Sequence, residues 1–249
     1  MKETILSALA EIERKENVRI IYCVESGSRA WGFPSPTSDY DVRFVYVRPK
    51  EFYLRLDPVR DVIEWQLDDT LDVNGWDIYK LLSLLHKSNP TIFEWQASPI
   101  VYKTTEEWKS ISRVIADNFS VKHSLYHYLF MAKRHYHEAT AGEKAKLKKY
   151  LYCLRPLLAC KWIIKKSTPP PMLFSSLVSE CLDDSVKGYV DRLVELKMGE
   201  TEIKEVERIP ELEEYLARNI SEIETNAATV AEKTERSWDA LNKAFLAVL

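Results

Sequence analysis

Asp39-Tyr40-Asp41 opens a run, Asp39–Val47 (DYDVRFVYV), that reads as a β-strand. Side chains alternate across a strand. Asp39 and Asp41 therefore share one face, about 7 Å apart, and Tyr40, Val42, Phe44 and Tyr46 share the other. Such a strand must bury its aromatic face and leave its acidic face to solvent or to a ligand. Two neighbouring carboxylates repel each other unless a cation lies between them. A hard divalent ion takes oxygen ligands and leaves positions open for substrate phosphates. The plain alternative is a solvated strand edge with a chance pair of aspartates.

What lies upstream favours the ligand reading. Val18–Val24 (VRIIYCV) is an apolar run rich in β-branched residues and reads as a buried strand. Gly27-Ser28 follows it closely. Glycine lets backbone approach a phosphate, Ser28 adds a hydroxyl, and Arg29-Ala30-Trp31 can open a helical turn.

The remaining pattern divides the chain. Residues 2–15 read as a helix, Val59–Gln66 and Leu71–Asp77 as strands with a turn over 67–70, and Ile78–His86 as a helix. Asn89-Pro90 restarts a short helix to Ala97, and Ser98–Tyr102 is extended. Beyond about residue 105 the spacing turns helical, over 119–139, 144–165, 173–179, 185–197 and 211–245. The expectation is an α+β fold. A mixed β-sheet with flanking helices over 1–105 precedes an α-helical domain over 106–249. Its 249 residues can bury a substantial core, and 35 basic against 38 acidic residues exclude an overall basic field. No apolar run reaches the roughly 20 residues of a membrane span. The charged amphipathic N-terminus does not read as a signal peptide, and Cys23, Cys153, Cys160 and Cys181 form no CxxC pair. Buried thiols, no membrane and a cytoplasmic location are expected.

GSRAWGFPSPTSDYDVRFVYV resembles the signature of the DNA polymerase β-type nucleotidyltransferase superfamily: Gly-Ser, a spacer, then Asp-x-Asp on a strand. With GWD, KSNP, EW, SPIVY and KKYLYCLRPLLACKWI, the chain is similar to YcgL-type nucleotidyltransferases, some of which accompany RNA ligases in repair operons. This resemblance covers about residues 18–165. It implies a nucleotidyltransferase-type sheet and transfer of a nucleoside monophosphate from a nucleoside triphosphate, with pyrophosphate released. Asp39 and Asp41 would bind Mg²⁺ in a two-metal site, Mn²⁺ able to substitute. Gly27 and Ser28 would hold the triphosphate. The acceptor hydroxyl could belong to RNA, a protein or a small molecule. A non-catalytic nucleotide- or RNA-binding module on the same fold is the alternative.

A third carboxylate is expected from a neighbouring strand. Asp72 and Asp77 are the candidates. Asp77 reads equally as the N-cap of the helix after it. Asp72 stands early in a strand, where aspartate is disfavoured, and is preferred. Arg43 shares the parity of Asp39 and Asp41 and could touch a phosphate or pair with them; Arg29 carries the same two readings. Lys144, Lys148, Tyr152 and Arg155 fall on one helical stripe. The resemblance makes Lys148, Tyr152 and Arg155 nucleotide-binding candidates, against an ordinary solvated helix face. His123 and His127 lack a HExxH partner and read as surface residues. Lys133-Arg134-His135 with Tyr136 reads as an exposed turn that could help bind RNA.

Overall fold

The computed structural model describes residues 1–68, 70–199, 203–231 and 237–249, with backbone alone at 66–68. The turn expected over 67–70 includes Asp69, which lies outside the described residues. The strands are β1 (Arg19–Ser26), β2 (Tyr40–Val47), β3 (Val62–Asp68), β4 (Leu71–Asp77) and β5 (Val101–Thr104). They form one sheet in the order β3-β4-β2-β1-β5. β2 and β4 run parallel, and β1–β2, β1–β5 and β3–β4 are antiparallel. The helices are α1 (Lys2–Glu16), α2 (Gly27–Trp31), α3 (Ile78–His86), α4 (Pro90–Gln96), α5 (Glu106–Ile115), α6 (Val121–Thr140), α7 (Leu147–Lys166), α8 (Phe174–Cys181), α9 (Asp184–Met198), α10 (Pro210–Thr229) and α11 (Asp239–Val248). The expected α+β class is the observed one.

Two compact units divide the chain. The first comprises Met1–Ala30, Asp39–Asn118 and Thr234–Leu249, and the second Trp31–Ser38 and Phe119–Lys233. The boundary expected at residue 105 therefore lies after Asn118. Its cause is Trp108 of α5, which is buried and stacks on Tyr22 of β1 with ring centroids 4.0 Å apart. The C-terminal helix also belongs to the first unit. Arg19 donates to the Val248 carbonyl at 2.8 Å, and Phe245 meets the rings of Tyr53 and Tyr79. The helix expected over 211–245 is broken. α10 ends at Thr229, where Val230 turns extended, and residues 232–236 lie outside the described residues.

In the first unit, α1 lays Ile5, Leu9 and Ile12 on one sheet face, against Val42, Phe44 and Tyr46 of β2. This is the alternation read from the sequence. Gly75 on β4 faces Phe44, and a Cβ there would lie 2.1 Å from Phe44 Cε2. The absent side chain is what lets that ring lie flat on the neighbouring strand. Asp41 and Arg43 belong to the other face, at the N-terminal end of β2.

In the second unit, α6, α7, α8, α9 and α10 share one core. Phe33, from the segment Trp31–Ser38, is buried in it and meets Phe174 edge-on at 5.3 Å. Residues 145–146 pair with 205–206 as two short strands, β6 and β7, so α7 begins at Leu147 and not at residue 144. All four cysteines are free and buried, as expected. Among the described residues, no helix is long and apolar enough to cross a membrane.

Candidate active site

The parallel pairing of β2 with β4 sets Asp41 directly opposite Asp72. Residues so paired project to the same sheet face. Arg43, two residues along β2, lies between the two carboxylates. Its Nη2 is 3.1 Å from Asp41 Oδ1 and 2.7 Å from Asp72 Oδ2, and its Nη1 donates to the Val42 and Asp72 carbonyls. Of the two readings of Arg43, the observed contact is the carboxylate pair.

Gly27 stands against the same aspartate. Its φ is +62°, and a Cβ built on it would lie 1.9 Å from Asp41 Oδ2. The carboxylate occupies the volume that any side chain at 27 would need. Glycine is required twice here, for the left-handed backbone and for the close approach. Ser28 is buried in the turn that follows. Arg29 reaches back across it. Its Nε donates to the Asp39 carbonyl at 3.1 Å, and its guanidinium lies 3.7 Å from the Tyr40 ring centroid. Arg29 thus ties the Gly-Ser turn to the entry of β2. Asp39 itself is exposed and directly precedes the strand.

Glu25 completes the group, and the sequence reading missed it. It is fully buried at the end of β1. Its Oε1 accepts the Asp41 backbone N–H at 2.7 Å, and its Oε2 accepts the Tyr102 hydroxyl at 2.5 Å. The Ser98 hydroxyl donates to its carbonyl. Glu25 therefore anchors the backbone of Asp41. Its sequence signal is an acid placed directly after an apolar strand run.

The charges are stressed. Burial pushes the Asp41 carboxyl above its ordinary range, and Asp72 and Asp39 add to the rise, while Arg43 opposes it. Glu25 is also pushed up by burial, against the hydrogen bonds from Tyr102 and the Asp41 N–H. A half-buried aspartate with like-charged neighbours favours a cation, and the donor set is all oxygen, as a hard divalent ion requires. The carboxylates of Asp39 and Asp41 are oxygen donors of the kind Mg²⁺ takes. Among the described residues, no three His, Cys, Asp or Glu converge as a preformed metal cluster.

Asp77 has a different role. It is buried on β4 and caps α3, accepting the Tyr79 N–H at 2.8 Å and the Tyr53 hydroxyl at 3.1 Å. Burial lifts its pKa from 3.8 to about 6. Because the folded value is the higher one, the native state binds more protons between those limits. This group's contribution to stability therefore falls as pH rises from 3.8 to about 6 and is flat above. Asp77→Asn keeps an N-cap acceptor and removes the titration. In urea unfolding between pH 4 and 7, the wild type is expected to lose stability relative to Asp77→Asn. Parallel curves would contradict the assignment.

The candidates on α7 belong to the second unit. Lys148 is exposed, Tyr152 half-buried and Arg155 buried. The Arg155 guanidinium lies 4.5 Å from the Trp31 ring centroid and 3.5 Å from the Met172 sulfur. The expected solvent-facing basic stripe is therefore not formed. Lys144 precedes the helix and pairs with Glu207, and Arg155 packs inward. His123 and His127 are exposed, as read; His135 is buried beside Glu138.

The sequence model of the RNA repair pathway DNA polymerase beta family matches residues 1–247. The chain belongs to that family. It is 41% identical over 250 residues to the uncharacterized protein YcgL of Bacillus subtilis (strain 168), covering 99% of this chain and 95% of that one. A crystal structure of a nucleotidyltransferase-like protein from Exiguobacterium sibiricum 255-15 is similar at 12% identity. That match covers 100% of this chain and 79% of the other, with a TM-score of 0.33. That score is too low to establish a shared fold. Within the polymerase beta family, the pairing of Gly27-Ser28 with Asp39 and Asp41 is the feature to interpret.

Proposed function

We propose that the protein transfers a nucleoside monophosphate from a nucleoside triphosphate to a hydroxyl of RNA, releasing pyrophosphate. The observation that carries this reading is Asp41, paired across β2–β4 with Asp72 and pressed against the side-chain-free backbone of Gly27. Membership of a family described by RNA repair supports RNA as the acceptor class.

Each residue has a part in the reaction. The acceptor oxygen bonds to the α-phosphorus, and the bond from that phosphorus to the α–β bridging oxygen breaks. Gly27 and Ser28 orient the triphosphate through backbone approach and a hydroxyl. Asp72, the more exposed of the paired acids, takes the acceptor proton. Glu25 holds the Asp41 backbone in place. Arg43 keeps positive charge beside both carboxylates, where charge develops. Asp39 and Asp41 would hold Mg²⁺, with Mn²⁺ able to replace it; a bound divalent ion would polarise the phosphate and acidify the acceptor hydroxyl.

A second reading has its own observation. Arg43 already pairs with both Asp41 and Asp72, which would suit a nucleotide- or RNA-binding module without turnover. Thermal unfolding separates the two. A transferase site is expected to be stabilised by a nucleoside triphosphate only with Mg²⁺, by about 3 kcal/mol at a hundredfold excess over Kd. Stabilisation by RNA alone, with no response to nucleotide and Mg²⁺ together, would favour the binding module.

A further inference from the structure

α6 carries a surface that the site above does not use. Its buried side, Leu125, Tyr128, Leu129, Ala132 and Ala139, packs into the helical core. Its exposed side is His123, Tyr126, His127, Phe130, Arg134 and His137. These positions follow i, i+3, i+4, i+7, i+11 and i+14, so they form one stripe along the helix. The stripe runs about 21 Å at 1.5 Å per residue.

Its composition is unusual for a solvated helix face. Phe130 is 69% exposed and Tyr126 45% exposed. Rings and cationic or imidazole side chains alternate, and the stripe contains no acid. The acid on α6, Glu138, is engaged by Lys149 at 2.5 Å and His135 at 3.3 Å. Arg134 is 57% exposed, with its Nε 3.8 Å from that carboxylate and its Nη2 3.4 Å from His135 Nε2. Lys122 flanks the stripe at its start. Of the Lys133-Arg134-His135 segment singled out in the sequence, only Arg134 lies on this surface. Lys133 pairs with Glu224, and His135 is buried.

We infer that this face of α6 binds single-stranded RNA, with Phe130 and Tyr126 as stacking platforms and Arg134 as a phosphate contact. Exposed rings beside a cation and hydrogen-bonding imidazoles suit the bases and phosphates of a strand. A protein partner would instead favour a continuous apolar patch, and here Arg134 and three histidines interrupt it. The inference rests on the proposed function for the choice of RNA as ligand; the surface itself is independent of the carboxylates.

The test is fluorescence anisotropy with a 5′-fluorescein, 12-nucleotide single-stranded RNA and its blunt duplex. Phe130→Ala and Tyr126→Ala are each expected to weaken single-strand binding at least about fivefold, the lower end of a stacked base's worth. Arg134→Gln should lower the slope of log affinity against log salt by about 0.7. All three residues are exposed, so circular dichroism should be unchanged. Stabilisation by nucleotide and Mg²⁺ should also be unchanged. Wild-type binding that no variant weakens would overturn the surface, as would equal preference for duplex or no RNA binding at all. So would self-association that Phe130→Ala abolishes in sedimentation, which would make the stripe a protein interface. Label transfer to RNA with variant-insensitive binding would sink this surface and leave the proposed function. Weakened binding in the variants without any transfer would do the reverse.

Discussion

Asp41→Asn is expected to lower nucleotidyl transfer at least about 1,000-fold, or about 4 kcal/mol of transition-state stabilisation. The carboxylate is central to the first unit's polar face. It contacts Arg43, adjoins Asp72 across β2–β4 and fills the space beside Gly27. Asparagine has nearly the same shape and leaves that packing alone. It also removes a charge that burial and two acidic neighbours disfavour. The variant's unfolding temperature should therefore match or exceed the wild type's near neutral pH. Steady-state transfer and thermal unfolding on the same preparation check both parts. Residual activity above about a tenth would sink the role assigned to Asp41. A collapsed unfolding temperature would mean that the aspartate is structural.

Gly27→Ala is the second large effect. One methyl group would have to share space with Asp41 Oδ2, 1.9 Å away, on backbone at φ +62°. A left-handed conformation costs a non-glycine residue about 1–2 kcal/mol. The carboxylate must also turn away, and Arg43 with it. Displacement of catalytic groups by about 1 Å is enough for a 100-fold loss. The expected result is a loss of stability of about 1–2 kcal/mol in urea unfolding, together with at least a 100-fold loss of transfer. Asp41→Asn and Gly27→Ala thus differ in signature. The first removes activity without stability, and the second removes both. If Gly27→Ala keeps full activity, the carboxylate is not held against the turn.

Much of this site was legible in the sequence because its grammar is local. Period-two alternation in Asp39–Val47 separated acids from aromatics, and Val42, Phe44 and Tyr46 are buried accordingly. The Gly-Ser turn reads as a place for close approach to a phosphate, whereas the approach observed at Gly27 is to the Asp41 carboxylate. Asp77 stands directly before a helix and so has a local capping role, which Asp72 lacks. Asp77 caps α3, and Asp72 meets Arg43. What escaped depends on partners far along the chain. Glu25 is defined by Asp41 and Tyr102, which lie 16 and 77 residues away. Which way Arg43 turns depends on the β2–β4 register. The C-terminal helix belongs to the first unit through the Arg19–Val248 contact, 229 residues apart in sequence. Residues 31–38 join the helical core through Phe33, although Gly-Ser and Asp-x-Asp lie on either side of them. Arg155 shows the limit of helical spacing. Periodicity placed it on a stripe with Lys148, but a cation can be buried when an aromatic face receives it.

Incubation with each α-³²P nucleoside triphosphate, Mg²⁺ and RNA tests the central claim most directly, with Asp41→Asn run in parallel. The account predicts label covalently attached to RNA by the wild type, with pyrophosphate released and neither product formed by the variant. Intact nucleotide–Mg²⁺ binding without transfer to RNA from any of the four nucleotides would contradict it.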